Sequence, residues 1–255
     1  MRCKPRLLLT FAALVSLVGA TTVDAAVTVT STVNVAPAGP IPHSPYDPAT
    51  DVSASGPVLT ASSIDLAQGL TEAGGGISTT GNDNQEESFG IDATTNGSLA
   101  TVYNIGGNAG DAIDHAAYAS VNSGDLVTYN LGGLYNLSQV DVFSAWNDSG
   151  RDDFSFNLLV SADGVSFSQI ATYLKLVENN TGQINEPITS LHSIADDGGA
   201  DIASAVQYVQ ISAFNADNGW AGIAEVDVFG VQVPEPSGVA LLGLVCFAAM
   251  GMRRN

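Results

Sequence analysis

From Ser53 onwards the chain is a succession of short runs rich in β-branched and aromatic residues, interrupted by Gly, Asn and Asp clusters, with scarcely a helical period anywhere. That pattern speaks against a helical bundle and for strands joined by turns. The clearest runs are LATVYNI (99–105), LVTYNL (126–131), LSQVDVFSAW (137–146), FSFNLLVS (154–161), FSQIATYLKLV (167–177), VQYVQISAF (206–214) and GIAEVDVFG (222–230). Apolar alternation, as in Val140, Val142 and Phe143 with Trp146, or Val206, Tyr208 and Phe214, predicts a sheet with one buried face. An all-β sandwich or jelly roll over residues 53–232 is the simplest architecture. The polar, glycine-rich GGGISTTGNDNQEE (74–87) reads as a long surface loop.

The two ends of the 255-residue chain are of different character. At the front, Arg2, Lys4 and Arg6 precede an apolar run from Leu7 to Val18, and Val23-Asp24-Ala25 offers small residues for cleavage. These are the three parts of a secretory signal peptide over residues 1–25. This run of 12 residues falls short of the roughly 18 that a membrane anchor needs. Residues 26–52 begin with alternation at Val27 and Val29 and then carry Pro37, Pro40, Pro42, Pro45 and Pro48, which predicts an extended strand followed by a semi-rigid spacer.

Five of the seven basic residues lie in the two ends, so residues 26–232 hold Arg151 and Lys175 against 24 acids, a formal charge of −22. Such a surface repels phosphates and anionic headgroups, which excludes nucleic acid as an expected partner. It attracts divalent cations and keeps an exported chain dispersed. Cys3 and Cys246 both fall outside this region, so the sandwich must be held by burial and not by disulfides.

The closing stretch, VPEPSGVALLGLVCFAAMGMRRN (233–255), has its own logic. Ser237 to Met252 are 16 residues without a charge. As a helix they reach about 24 Å, against about 30 Å of hydrocarbon, short for a permanent span. Arg253 and Arg254 hold the far side in the cytoplasm, while Pro234 and Pro236 keep Glu235 extended at the membrane face. An extended, exposed peptide is what a processing enzyme can grip. Val-Pro-Glu-Pro, short apolar helix and terminal Arg-Arg resemble the bacterial PEP-CTERM sorting signal, whose tail is also called an ice-binding protein C-terminal domain. The resemblance implies an exosortase as partner, transient insertion in the inner membrane, and delivery to the cell surface or extracellular matrix. Pro234, Glu235, Pro236, Arg253 and Arg254 are the motif residues.

Within the sandwich, Leu126 to Tyr173 resembles the middle of a discoidin-like or galactose-binding-like domain, through Asn130-Leu131-Gly132 and Ser161-Ala162-Asp163-Gly164 with Phe167. Ala205 to Gly230 resembles the last two strands of that family. The resemblance implies carbohydrate binding and a structural Ca2+ held by loop carbonyls and by an acid on the final strand, at the position of Glu225. A strand-edge or solvated Glu225 is the alternative, since Ca2+ needs six to eight oxygens. Asn215-Ala216-Asp217-Asn218-Gly219 alternates oxygen ligands before a glycine but lacks the bidentate Glu of an EF-hand, and reads as a turn.

WNDSGRDD (146–153) gathers turn formers around one of the two cations. Arg151 is placed to pin the loop by pairing with Asp148, Asp152 or Asp153. The functional alternative makes Trp146 or Trp220 a stacking platform for a sugar ring, with Asn147 and Arg151 bonding its hydroxyls. A core tryptophan is the competing role for both. Catalytic signatures are missing from the sequence: there is no Gly-x-Ser-x-Gly elbow, no His-Glu-x-x-His, and His43, His115 and His192 are scattered. The sequence therefore points to a non-catalytic, exported β-sandwich that binds polysaccharide. Its alternatives are an acidic structural matrix protein without a specific ligand, and a two-carboxylate glycoside hydrolase.

Overall fold

The computed structural model describes residues 26–35, 47–49, 56–81, 90–100, 119–146, 151–175, 188–216 and 219–234. They form an all-β sandwich. Its strands are β1 (Val27–Val35), β2 (Ile77–Thr79), β3 (Ala119–Asn122), β4 (Leu126–Ala145), β5 (Phe154–Ser161), β6 (Ser168–Tyr173), β7 (Ile188–Asp196), β8 (Ala203–Ala216) and β9 (Trp220–Gln232). One 3-10 turn spans Ile91–Thr95. Pairing runs β1-β7-β4-β8-β5-β6, with β2 on β4 and β9 between β3 and β4.

β4 is the spine. Two runs that the sequence separates, 126–131 and 137–146, join into one 20-residue strand. Its first part pairs with β8 and β2, and its second part with β7 and β9. The register breaks between Asn130 and Tyr135, where Gly132-Gly133 lets the strand bend and change partners. One strand thus belongs to both layers.

Between the layers lie Val127, Tyr129, Val140, Val142, Phe154, Phe156, Leu158, Val209, Ile211, Val226 and Val228. Phe143, Ala145 and Ala224 point the other way, under Leu59 and Leu99. The expectation of one buried face therefore fails along β4 and β9: positions 140–145 are all buried because the 56–62 and 97–100 segments cover the outer side. On β8 the buried set is Val206, Val209, Ile211, Ala213 and Ala216, while Tyr208 and Phe214 are half-buried. Ala205, at φ 54, and the neighbouring register shift put the strand out of the simple alternation that the sequence suggests.

Two further corrections concern elements. β1 pairs with β7 over nine positions, from Val27↔Asp196 to Val35↔Ile188. It is a strand of the sandwich, so the sandwich begins ahead of Ser53. Ile77–Thr79 pairs with Tyr129–Val127 and Ile77 is 3% exposed, so part of the predicted 74–87 loop is core strand. Residues 101–105 of the LATVYNI run lie outside the described residues.

Candidate functional site

β9 carries Glu225 and Asp227 two residues apart, hence on one face of the strand. Both are buried, at 0% and 2% exposure. Two segments fold over them, 62–70 and the 3-10 turn with its exit, 91–98. Ser62 N donates to Asp227 Oδ2 at 2.7 Å, and Gly97 N to Glu225 Oε2 at 2.9 Å. Asp65 Oδ1 accepts from Ala67 N at 2.8 Å and from Val228 N at 3.2 Å. Leu66 N donates to Val228 O at 2.8 Å. The two covering segments are tied to each other as well: Gly69 N and Gln68 Nε2 both donate to Thr95 O, at 2.8 and 3.0 Å.

Each of these side chains keeps one oxygen without a partner. Glu225 Oε1, Asp227 Oδ1, Asp65 Oδ2 and Gln68 Oε1 are all buried acceptors that meet no donor. Gly97 fits against this set because it has no side chain and sits at φ +77, where an L residue is strained. A Cβ there would lie 3.1 Å from Gln68 Oε1 and 3.4 Å from Ser62 O, so both oxygens border the residue that binds Glu225.

The electrostatics follow from burial without a counter-charge. The Glu225 carboxyl is pushed up to about 9, first by burial and then by the charge of Asp227. Asp227 rises to about 7, by burial first and then by Asp65 and Asp141. Asp141, opposite Asp227 in the β4–β9 ladder, is raised by burial too, although Ser193 and Gln139 hydrogen-bond it. Carboxylates that each keep one buried oxygen without a donor favour a proton or a cation in their midst.

Oxygen donors of this kind, carboxylate, amide and peptide, suit a hard cation such as Ca2+ and not a thiophilic metal. Among the described residues no three His, Cys, Asp or Glu side chains are grouped to hold a metal by themselves. An ion would therefore need Gln68 Oε1 and peptide oxygens such as that of Ser62 beside the carboxylates. Glu225 was legible as a candidate; Asp65, Gln68 and Asp227 were missed, and the signal available was a pair of acids, Glu225 and Asp227, on the inward face of an otherwise apolar strand.

Trp146 behaves differently from the sugar platform that the sequence offered. It is 0% exposed, so the ring has no face for a ligand. The Arg151 guanidinium lies 5.5 Å from its centroid, and its Cε3 would be 3.0 Å from a Cβ on Gly222. Arg151, half-buried and at φ 78, accepts a hydrogen bond from Gly222 N at its carbonyl. Trp220 stands opposite Asn122 on the β3–β9 edge and is half-buried, so it retains some surface. Asn147 lies outside the described residues. Of the sorting motif, Pro234 is described and exposed, while Glu235, Pro236, Arg253 and Arg254 lie outside. No helix among the described residues is long and apolar enough to cross a membrane, and the stretch 237–252 was not among them.

Asp152 and Asp153, both fully buried, open into a polar core network. Asp152 Oδ2 accepts from Ile188 N at 3.1 Å, and Asp153 Oδ2 accepts from Tyr173 OH at 2.9 Å. His192 stacks on Tyr173 at 3.7 Å, with Nε2 at 3.4 Å from Asp153 Oδ1 and at 3.2 Å from Ser144 Oγ. Ser31 Oγ meets its Nδ1 at 3.0 Å. Serine, histidine and aspartate thus meet, but Ser144, His192 and Asp153 are each 0% exposed. No substrate reaches these three; they join β1, β4, β6 and β7.

No known family profile matches the chain. No curated protein matches it. Among solved structures, it is similar to a family 89 glycoside hydrolase from Clostridium perfringens, at 20% identity and TM-score 0.39, over 68% of this chain and 16% of that one. It is similar to the CBM32 of AlyQ in complex with 4,5-unsaturated mannuronic acid, at 23% identity and TM-score 0.36, over 60% of this chain and 92% of that one. It is also similar to CpGH89CBM32-5 from Clostridium perfringens in complex with GalNAc-beta-1,3-galactose, at 16% identity and TM-score 0.40, over 61% of this chain and 96% of that one. Likenesses of this size assign neither a family nor a ligand to the chain.

Proposed function

We propose that this protein is an exported, non-catalytic β-sandwich of the cell surface or extracellular matrix, which binds polysaccharide and is stabilised by a structural Ca2+. The observation that carries the reading is the set of four buried oxygens without donors on Asp65, Gln68, Glu225 and Asp227. Those residues, with peptide oxygens beside them, would hold the ion. Its charge would offset that of the buried carboxylates and tie the 62–70 and 91–98 segments to β9. Polysaccharide as the ligand class rests on the resemblance of Leu126–Tyr173 and Ala205–Gly230 to galactose-binding-like domains. Trp220 is the aromatic we assign to the ligand. Sorting by an exosortase-type enzyme, after transient insertion of 237–252 in the inner membrane, rests on the Val-Pro-Glu-Pro and Arg-Arg elements.

A second reading, an acidic matrix protein with no specific ligand, is favoured by the −22 charge of residues 26–232. Retention of the protein on native matrix polysaccharide separates the two. Binding that survives high salt and is lost in Trp220→Ala supports a specific site. Binding that salt alone abolishes supports the charge reading. A calcium titration followed by calorimetry tests the ion independently of any sugar, and no heat at millimolar Ca2+ would remove it from the reading.

A further inference from the structure

The end of β9 and the bent part of β4 form an uncharged, partly apolar surface on a strongly acidic protein. Val231 is 74% exposed and Leu134 39% exposed. Asn136 pairs with Val231 in the ladder, and Val233 N donates to Leu134 O at 2.8 Å. Cross-strand partners share a face, as do alternate residues on one strand. Leu134, Val231 and Val233 therefore lie together on one side of this two-stranded ribbon. No Asp, Glu, Lys or Arg occurs between Asp125 and Asp141, or between Asp227 and Glu235. The acids of the β7–β8 turn, Asp196, Asp197 and Asp201, enter further along β4, where Ile202 N bonds Leu137 O and Ala195 pairs with Gln139.

We infer that this surface is the face the sandwich lays on the lipid bilayer while the apolar stretch 237–252 is inserted, an inference that rests on the insertion proposed above. The geometry is a matter of reach. Three residue steps lead from Pro234 to Ser237, a span of at most about 10 Å when extended. The headgroup layer on each side of the hydrocarbon is itself about 5–7 Å deep. An extended link leaves Val233 at most about 14 Å from the hydrocarbon, so a link short of full extension brings Val233 to headgroup level, and Leu134 and Val231 with it. An acidic surface in that position would be repelled by anionic lipid, and this part of the two strands, 126–140 and 228–234, carries no charged side chain.

The test uses the full chain with Cys3→Ser, reconstituted in phosphatidylcholine vesicles that contain headgroup or acyl-chain spin labels. Single cysteines carry an environment-sensitive fluorophore: native Cys246, or, with Cys246→Ser, one of Leu134→Cys, Val231→Cys and Val165→Cys. Val165 is 83% exposed in the β5–β6 connection and serves as the control for solvent. The expected result is strong acyl-chain quenching at 246, headgroup quenching at 134 and 231, and none above background at 165. Quenching at 246 with positions 134 and 231 behaving like 165 overturns the membrane face and leaves insertion standing. Absence of quenching at 246 overturns both. Labels at 134 and 231 that are shielded by dimerisation and not quenched by lipid would assign the surface to a second copy, and would also overturn the inference.

Discussion

Gly97 donates its backbone N–H to Glu225 Oε2 at 2.9 Å across 128 residues of sequence. This bond ties the 91–98 segment to the last strand, yet Glu225 Oε1 is left with no partner. The site is held in place by half of its hydrogen-bonding capacity, and the other half is available to a proton or an ion.

The first prediction concerns the protein in chelator. The Glu225 carboxyl is raised from 4.5 to about 9 and that of Asp227 from 3.8 to about 7, so the folded state binds protons that the unfolded chain has released. Their protonated forms carry stability that is fully present below the unfolded values, and it is lost as pH rises through the folded ones. Denaturation midpoints at pH 5, 7 and 9 fall in that order. The measurement belongs in about 1 M salt, where a screening length of about 3 Å suppresses the surface repulsion but not the buried pair. A midpoint that rises with pH would contradict the assignment.

The second prediction adds the ion. At pH 8, Ca2+ at about 100 times its dissociation constant raises the unfolding free energy by about 2.7 kcal/mol, and chelator reverses the change. Glu225→Gln removes a buried charge and a ligand together. At pH 9 in chelator this variant melts above the parent protein, and Ca2+ no longer shifts it. A variant that is less stable under both conditions would show Glu225 to be a packing residue alone.

The contrast between what sequence conveyed and what it concealed has a physical pattern. FSFNLLVS was read as a strand and is β5 residue for residue, because its apolar runs are bounded by turn formers on both sides. β7, ITSLHSIAD, went unread, because its buried positions are filled by Thr189, Ser190 and His192, polar groups that find partners only across the fold. The 126–146 region read as two strands because Gly132 and Gly133 look like a turn, whereas here they bend a continuous strand. Glu225 stands out in the sequence as a candidate by its place on the last strand. Asp65 and Gln68 do not, since they reach the site by a loop whose path only the tertiary structure fixes.

The third prediction separates the two tryptophans. Trp146→Ala empties a fully buried site and costs about 3–5 kcal/mol, read as a lowered melting temperature with no specific loss of polysaccharide binding in the fraction that stays folded. Trp220→Ala, at a half-buried edge position, lowers the melting temperature far less and weakens retention on polysaccharide several-fold. Equal retention by Trp220→Ala and the parent protein would leave Trp220 as an edge-packing residue.

The last prediction tests the close approach on which the Trp146 environment depends. A Cβ at Gly222 would run into the Ala145 carbonyl and lie 3.0 Å from Trp146 Cε3. Neither neighbour can yield easily, since Ala145 stands in the β4–β7 ladder and the Trp146 ring is held under Arg151. Gly222→Ala is therefore expected to cost about 1–3 kcal/mol by overpacking. Gly133→Ala is the control, because its nearest contacts begin at 3.4 Å with the end of the Gln232 side chain, and it should stay within about 0.5 kcal/mol of the parent. Combining Gly222→Ala with Trp146→Phe gives a loss smaller than the sum of the two single losses, because the smaller ring vacates the space that the new methyl needs. Strict additivity in that cycle, measured by chemical denaturation, would mean that the ring and the glycine do not share the contact, and that the Ala145 carbonyl alone fixes glycine at this position.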